Sequence, residues 1–265
     1  MSIYSEEHKK YLKKEKKDKI IVHIMQISII ILLFSIWEIL AQNKIINTFL
    51  YSSPSQIIKT IFNLFKQNNL FNHIFITLYE VIISFILSGI LAFLIATILW
   101  WNKFLRRVFE PFLTIINSLP KVALGPLIII WVGASIKSII AMSLMISLFI
   151  TIINLYQAFI LTNENYITLL KSFNASKKDI FIKVIIPSNK ENIISSLKIN
   201  MSMNFIGVIM GELLVSKKGL GYLIMYGSQV FNINLVITSV FILGFLSLIL
   251  YNFISFIEKL IVKKR

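Results

Sequence analysis

Six stretches of this chain run apolar for 20 or more residues with at most two charges apiece: 20–41, 75–99, 108–134, 136–156, 196–215 and 235–256. At about 1.5 Å of rise per residue, each makes a helix of about 30 Å, the thickness of a bilayer's hydrocarbon core. Lipid offers no hydrogen bonds, so such stretches must pair their backbone groups internally, and the expected fold is an all-α polytopic membrane protein with about six transmembrane helices. Composition agrees, since 57% of residues are hydrophobic and 15% charged, against about 45–50% and about 25% in soluble domains. The first stretch is too long for a signal-peptide core and lacks a small-residue cleavage pattern, so it reads as a retained span. Residues 1–19, with seven lysines, read as a basic cytoplasmic tail ahead of one membrane domain, 20–265.

The third stretch is interrupted by Glu110, Pro111, Pro120, Lys121 and Pro126. Charge argues that it crosses nonetheless. With six spans and the N-terminus inside, 20 of the 27 Lys and Arg residues fall on the cytoplasmic side. Omitting the third span would put the lysines from Lys171 to Lys198 outside, against the positive-inside bias. The expectation is a multi-pass protein of a bacterial plasma membrane with both termini cytoplasmic. Pro120, Gly125 and Pro126 are expected to break the third span, either to open a polar midplane site or as a simple kink.

The formal net charge of +15 would suggest nucleic acid in a soluble protein, but here it belongs to cytoplasmic loops beside lipid. There is no cysteine, and the three histidines, His8, His23 and His73, are far apart. No His/Asp/Glu cluster has metal-ligand spacing and no serine sits in a Gly-x-Ser-x-Gly turn, so neither a catalytic residue, a metal nor a cofactor is expected. The chain also lacks any Gly-Lys dipeptide, hence any P-loop. If ATP powers transport, another polypeptide hydrolyses it.

Ser53-Pro54 should cap and start a helix whose Ile57, Ile58, Ile61, Phe62 and Phe65 share a face, the pattern of a helix lying in the outer interface. Between spans four and five, residues 162–195 read as helix, turn, helix. Asn174 and Ala175 make the turn, Ser176 and Asp179 form a capping box, and the second helix should end near Pro187. Glu38, Glu80 and Glu212 fall near the outer ends of their spans, where water at the interface or a functional partner would offset the cost of a carboxylate. On the fifth span Asn200, Asn204, Gly207 and Gly211 recur at spacings of four, three and four. This stripe suits close helix packing, with a translocation pathway or a dimer interface as its use.

The run Ser172, Phe173, Asn174, Ala175, Ser176, Lys177, Lys178 and Asp179, followed by Val184-Ile185-Ile186-Pro187, resembles the cytoplasmic coupling loop of binding-protein-dependent ABC importer permeases. Pro120-Lys121 through Pro126-Leu127, then Trp131-Val132-Gly133, are similar to the sulfonate, taurine and nitrate branch of that family. So are Gly211-Glu212-Leu213-Leu214 and Gly219-Leu220-Gly221-Tyr222. Departures are visible: the Glu-Ala-Ala positions read Thr168-Leu169-Leu170, the loop glycine is Asn174, a proline is replaced by Glu191, and Glu80 stands at a frequent arginine. Asparagine tolerates the left-handed turn conformation that a glycine supplies there. The resemblance implies a type I importer permease fold, alternating access, and ABC ATPase subunits docked on residues 172–179. It further implies an extracytoplasmic solute-binding protein and a second copy of the chain, with a small solute such as a sulfonate, taurine, nitrate or thiamine-precursor pyrimidine as cargo. A carrier or channel without an ATPase, or a structural membrane-complex subunit, are the alternatives; a carrier would show inverted repeats or a paired buried charge.

Overall fold

The computed structural model describes residues 6–67 and 69–261; the outer ends of the two expected regions, including Lys263, Lys264 and Arg265, lie outside the described residues. Every regular element described is helical. The first, α1 (Glu6–Gln42), runs 37 residues, about 55 Å at helical rise, so it extends well past the bilayer core. Lysine and glutamate favour helix, and Lys19 pairs with Glu15 one turn back at 2.7 Å. The basic segment from Glu6 is helical and continuous with the first span. A short turn α2 (Thr48–Tyr51) leads to α3 (Pro54–Lys66). This helix starts as its sequence dictates, with Ser53 accepting from the Gln56 amide and proline in the first turn. Its apolar face is divided: Ile57 is buried against the bundle, while Ile58, Phe62 and Phe65 stay exposed.

The remaining helices are α4 (Leu70–Trp101), α5 (Lys103–Ser118), α6 (Gly125–Val132), α7 (Ile136–Ile160), α8 (Glu164–Ser172), α9 (Lys177–Ile180), α10 (Ile186–Ser188), α11 (Lys190–Val215), α12 (Leu220–Gln229) and α13 (Ile233–Ile261). Among the described residues, five helices are long and apolar enough to cross a membrane unbroken: α1, α4, α7, α11 and α13. Between α4 and α7 the chain turns by 85° where Lys103–Ser118 meets Lys121–Val132. Pro120 opens a 3-10 turn at Lys121–Leu124 and Pro126 lies in the first turn of α6, so the expected break is present. Each proline removes one backbone donor from the ladder.

Side-chain pairs show that this bent segment crosses the bundle. Phe93 of α4 meets Phe159 of α7 at 5.9 Å, and Val81 clusters with Ile139. The C-terminal ends of α4 and α7 thus lie side by side, the two helices are parallel, and α5 with α6 must carry the chain from one end to the other. The sixth span is this elbow. One end of the bundle gathers Trp101, Lys177, Lys198 and Glu258; the opposite end gathers Glu38, Ser55, His73 and Gly219.

Candidate functional site

At the centre of the bundle α4, α7 and α11 meet along stripes of small residues. Gly207 and Gly211 let α11 touch α7: a Cβ at Gly207 would fall on the Ser143 Cα, and one at Gly211 would come within 2.9 Å of the Ile139 Cα. Where no side chain separates two backbones, polar groups come into reach. Asn204 donates to Ser88 at 2.8 Å and to Asn200 Oδ1 at 2.9 Å, and accepts from Ser143 at 2.7 Å and Ser147 at 3.1 Å. Asn200 donates to Thr151 at 2.8 Å and accepts from Ser88 at 3.0 Å. Both residues are 0% exposed, and the oxygen and nitrogen of each amide have a partner. The Asn200, Asn204, Gly207, Gly211 stripe is therefore buried within the chain, where α7 and α4 provide the surface that the small residues approach. Interhelical hydrogen bonds in membranes contribute about 0.6 kcal/mol each, so this seam fixes the register of three helices more than it adds stability.

Nearer the end that holds His73, a carboxylate clasps a helix start. Glu212 Oε1 accepts from the Thr77 hydroxyl at 2.6 Å and Oε2 from the Gly221 amide at 2.6 Å. The Leu220 amide donates to Thr77 Oγ1 and the Gly219 amide to His73 Nδ1, each at 2.9 Å. Three successive backbone donors at the N-terminus of α12 are thus each held by a side chain, and an anion at that position is favoured by the helix dipole. Gly219 has φ +104 and a Cβ there would fall on the Glu212 carboxylate, which explains the glycine. Glu212 and its neighbour Glu80 are buried rather than solvated at the interface, because α12 folds back over them. Glu80 lies against the Glu212 carboxyl, and its oxygens have no other hydrogen-bond partner among the described residues. Glu38 behaves differently, capping the start of α3 through the Ser55 amide at 3.0 Å.

The loop 162–195 projects from the other end. Asn189 donates to the Thr162 hydroxyl at 2.7 Å, joining its two stems. Asn174 takes φ 55 between α8 and α9, the left-handed turn expected of it, and Ser176 accepts from the Asp179 amide at 3.1 Å, as a capping box requires. The Ser176 hydroxyl and Lys183, at 3.0 Å, hold the Asp179 carboxyl below its ordinary range. Beyond Ile180 a π turn at Phe181–Ile185 widens the helix ahead of Pro187, which has no N–H to continue the ladder. Ile180, Phe181 and Ile185 are buried, with Phe181 against Trp100 at 4.9 Å and Phe159 at 5.6 Å. Lys177 lies over the rings of Trp100 and Trp101 and donates to the Trp101 carbonyl. It anchors the loop to α4. What faces away from the bundle is an apolar stripe of Tyr166, Leu169 and Phe173.

The family of binding-protein-dependent transport system inner membrane components matches residues 86–265. The chain belongs to that family. It is the membrane permease of an ABC importer. Over 235 residues it is 29% identical to the formylaminopyrimidine transport permease ThiX of Halalkalibacterium halodurans, covering 89% of this chain and 93% of the relative. It is 23% identical to the putative aliphatic sulfonates transport permease SsuC of Bacillus subtilis, over 88% of this chain and 84% of that one. In fold it is similar to the MetNI methionine ABC transporter, with a TM-score of 0.58 at 16% identity over 72% of this chain and 96% of the other.

Two parts of the permease escaped the reading of its sequence. The partners of the α11 amides are Ser88 on α4 with Ser143, Ser147 and Thr151 on α7, and both sets sit in four-residue stripes, Ser84-Ser88-Ala92-Ala96 and Ser143-Ser147-Thr151. That spacing was available as a signal on each helix, as it was on α11. The clasp carried no such signal, since His73, Thr77 and Gly219 meet only in the fold.

Proposed function

We propose that this permease works as a dimer of identical chains, takes its power from separate ABC ATPase subunits docked on the loop 162–195, and receives its solute from an extracytoplasmic binding protein. What supports the docking is the Tyr166, Leu169, Phe173 stripe. These residues are 55%, 56% and 74% exposed, they lie at spacings of three and four along α8 and its C-cap residue, and they stand on a loop whose other apolar face is already packed on the bundle. An apolar helix face presented to water is what a groove on a partner takes up. Residues 172–179 form the elbow behind it, with Lys178 exposed beside it.

Orientation follows from charge. With the end bearing this loop inside, 20 of the 27 basic residues fall on the cytoplasmic side, as the positive-inside bias favours. The chain has no P-loop of its own, and ATP hydrolysis falls to the partner. The relatives' names supply the cargo class: a small polar solute of the aminopyrimidine or sulfonate kind. ATPase subunits closing on ATP would move α8, and the movement would pass through the buried Phe181 and the half-buried Trp100 to α4 and α7.

The experiment is a Leu169→Glu, Phe173→Glu double variant. Uptake and stimulation of the ATPase should be lost while membrane abundance and melting temperature stay at the wild-type level. Normal uptake by this variant would overturn the docking assignment, and uptake that continues without ATP would favour a carrier or channel.

A further inference from the structure

At the end opposite the coupling loop, α3, the start of α4, α12 and the start of α13 enclose a cleft of about 660 Å³, within the range of small-molecule sites. Its chemistry is unusual for a membrane protein. Six of its lining residues are carboxamides: Gln56, Asn63, Gln67, Asn69, Asn232 and Asn234. The carbonyl oxygen of Asn234 is buried and finds no donor among the described residues, although buried polar atoms are almost always paired. No Asp or Glu lines the cleft among the described residues, and Lys59 stands at it.

One wall is a ladder of rings. His73 stacks on Tyr222 at 6.0 Å and 15°, and Tyr222 on Tyr226 at 5.9 Å and 24°. Because His73 Nδ1 accepts from Gly219, its other nitrogen carries the proton in the neutral ring and is a donor. From these features we infer that the cleft binds a small, neutral, planar solute edged with both donors and acceptors, such as an aminopyrimidine. Carboxamides present donors and acceptors side by side, matching the edge of an amide-like ring. The ring ladder gives a flat face to lie on. A cation meets Lys59 and no counter-charge, and a tetrahedral anion uses neither the ring faces nor the carboxamide carbonyls.

The cleft shares His73 and Tyr222 with the clasp around Gly219–Gly221. Occupancy therefore bears directly on the contact between α4 and α12, where an arriving solute can be sensed. This deepens the substrate reading above, and rests on it for the choice of probe.

The chain has no cysteine, which allows a direct test on the full-length permease in lipid nanodiscs. Asn63→Cys and Asn232→Cys, each in an otherwise unaltered chain, report from two walls; Ser172→Cys on the coupling loop is the control. With 4-amino-2-methylpyrimidine at millimolar concentration, labelling by a water-soluble maleimide should slow at least about fivefold at both cleft positions and not at Ser172→Cys. Adding Asn234→Leu should abolish the protection, with the melting temperature of each variant confirming that it is folded. Unchanged labelling in the presence of the pyrimidine overturns the inference, as does protection by methanesulfonate alone, which would make the cleft an anion site. Because the readout is labelling and not uptake, either failure leaves the permease assignment standing.

Discussion

At Gly207 the distance between two backbones is set by the absence of one methyl group. Its Cβ would land on the Ser143 Cα, and backbone cannot swing aside as a side chain does. Gly207→Ala should therefore destabilise the permease by about 1–3 kcal/mol, the usual cost of overpacking. Gly244, mid-way along α13, has nothing within 4 Å of its Cβ position, and Gly244→Ala should stabilise by about 0.5–1 kcal/mol through helix propensity alone. Thermal melts of both variants in the same lipid decide it, and equal shifts would refute the packing argument. Glu212→Gln is subtler. A glutamine turns an amide N–H toward either Thr77 or the Gly221 amide, leaving a buried donor unpaired at a cost of about 1–3 kcal/mol. Hydrogen exchange should show the first turn of α12 opening while the Asn204 seam stays protected; an unaltered first turn would mean that the clasp is held by Thr77 and His73 without the carboxylate.

Elements announced themselves in the sequence wherever a local rule sufficed. Ser53-Pro54 placed the start of α3, and Ser176 with Asp179 placed the cap of α9, because capping involves residues three apart. Gly207-x-x-x-Gly211 announced a close approach but not to what, since a stripe names no partner; the companion stripes on α4 and α7 had to be found in three dimensions. The prolines located the break in the third span and left its 85° open, an angle set by what α6 packs on, notably Met142 and Leu214 around Gly125. The coupling loop's cap also carries a pH dependence. The Asp179 carboxyl is held below its ordinary value of 3.8 by the Ser176 hydroxyl and Lys183. Its stabilising contribution is present above that value and fades as pH falls through the lowered one. Residues 177–185 should show constant protection factors between pH 6 and 8 and fray only below about pH 4. Fraying near neutrality would show that Asp179 does not hold the turn.

For the molecule as a whole, the parallel course of α4 and α7 is the decisive feature, because it obliges the segment between them to cross. A reporter fused after Ser135 should read outside and one after Ser188 inside; a cytoplasmic signal at Ser135 would mean that the elbow doubles back. On the docking and the cleft proposed above, the two-ended sorting of contacts also separates labour: solute chemistry at the carboxamide end, motor contact at the lysine end, and the serine and asparagine seam holding register between them. Within that division, the Thr162 to Asn189 hydrogen bond has an evolutionary meaning. It brings the two stems of the coupling loop to one point, so the bundle reads what lies between only through the side chains packed on it, Lys177, Ile180, Phe181 and Ile185. On the proposed docking, the exposed face of α8 is an exchangeable address. Grafting a relative's α8 between those two stems, with Lys177, Ile180, Phe181 and Ile185 left in place, should hand this pore to that relative's ATPase without touching what it carries, so lineages could rewire motor to cargo by swapping a single short cassette.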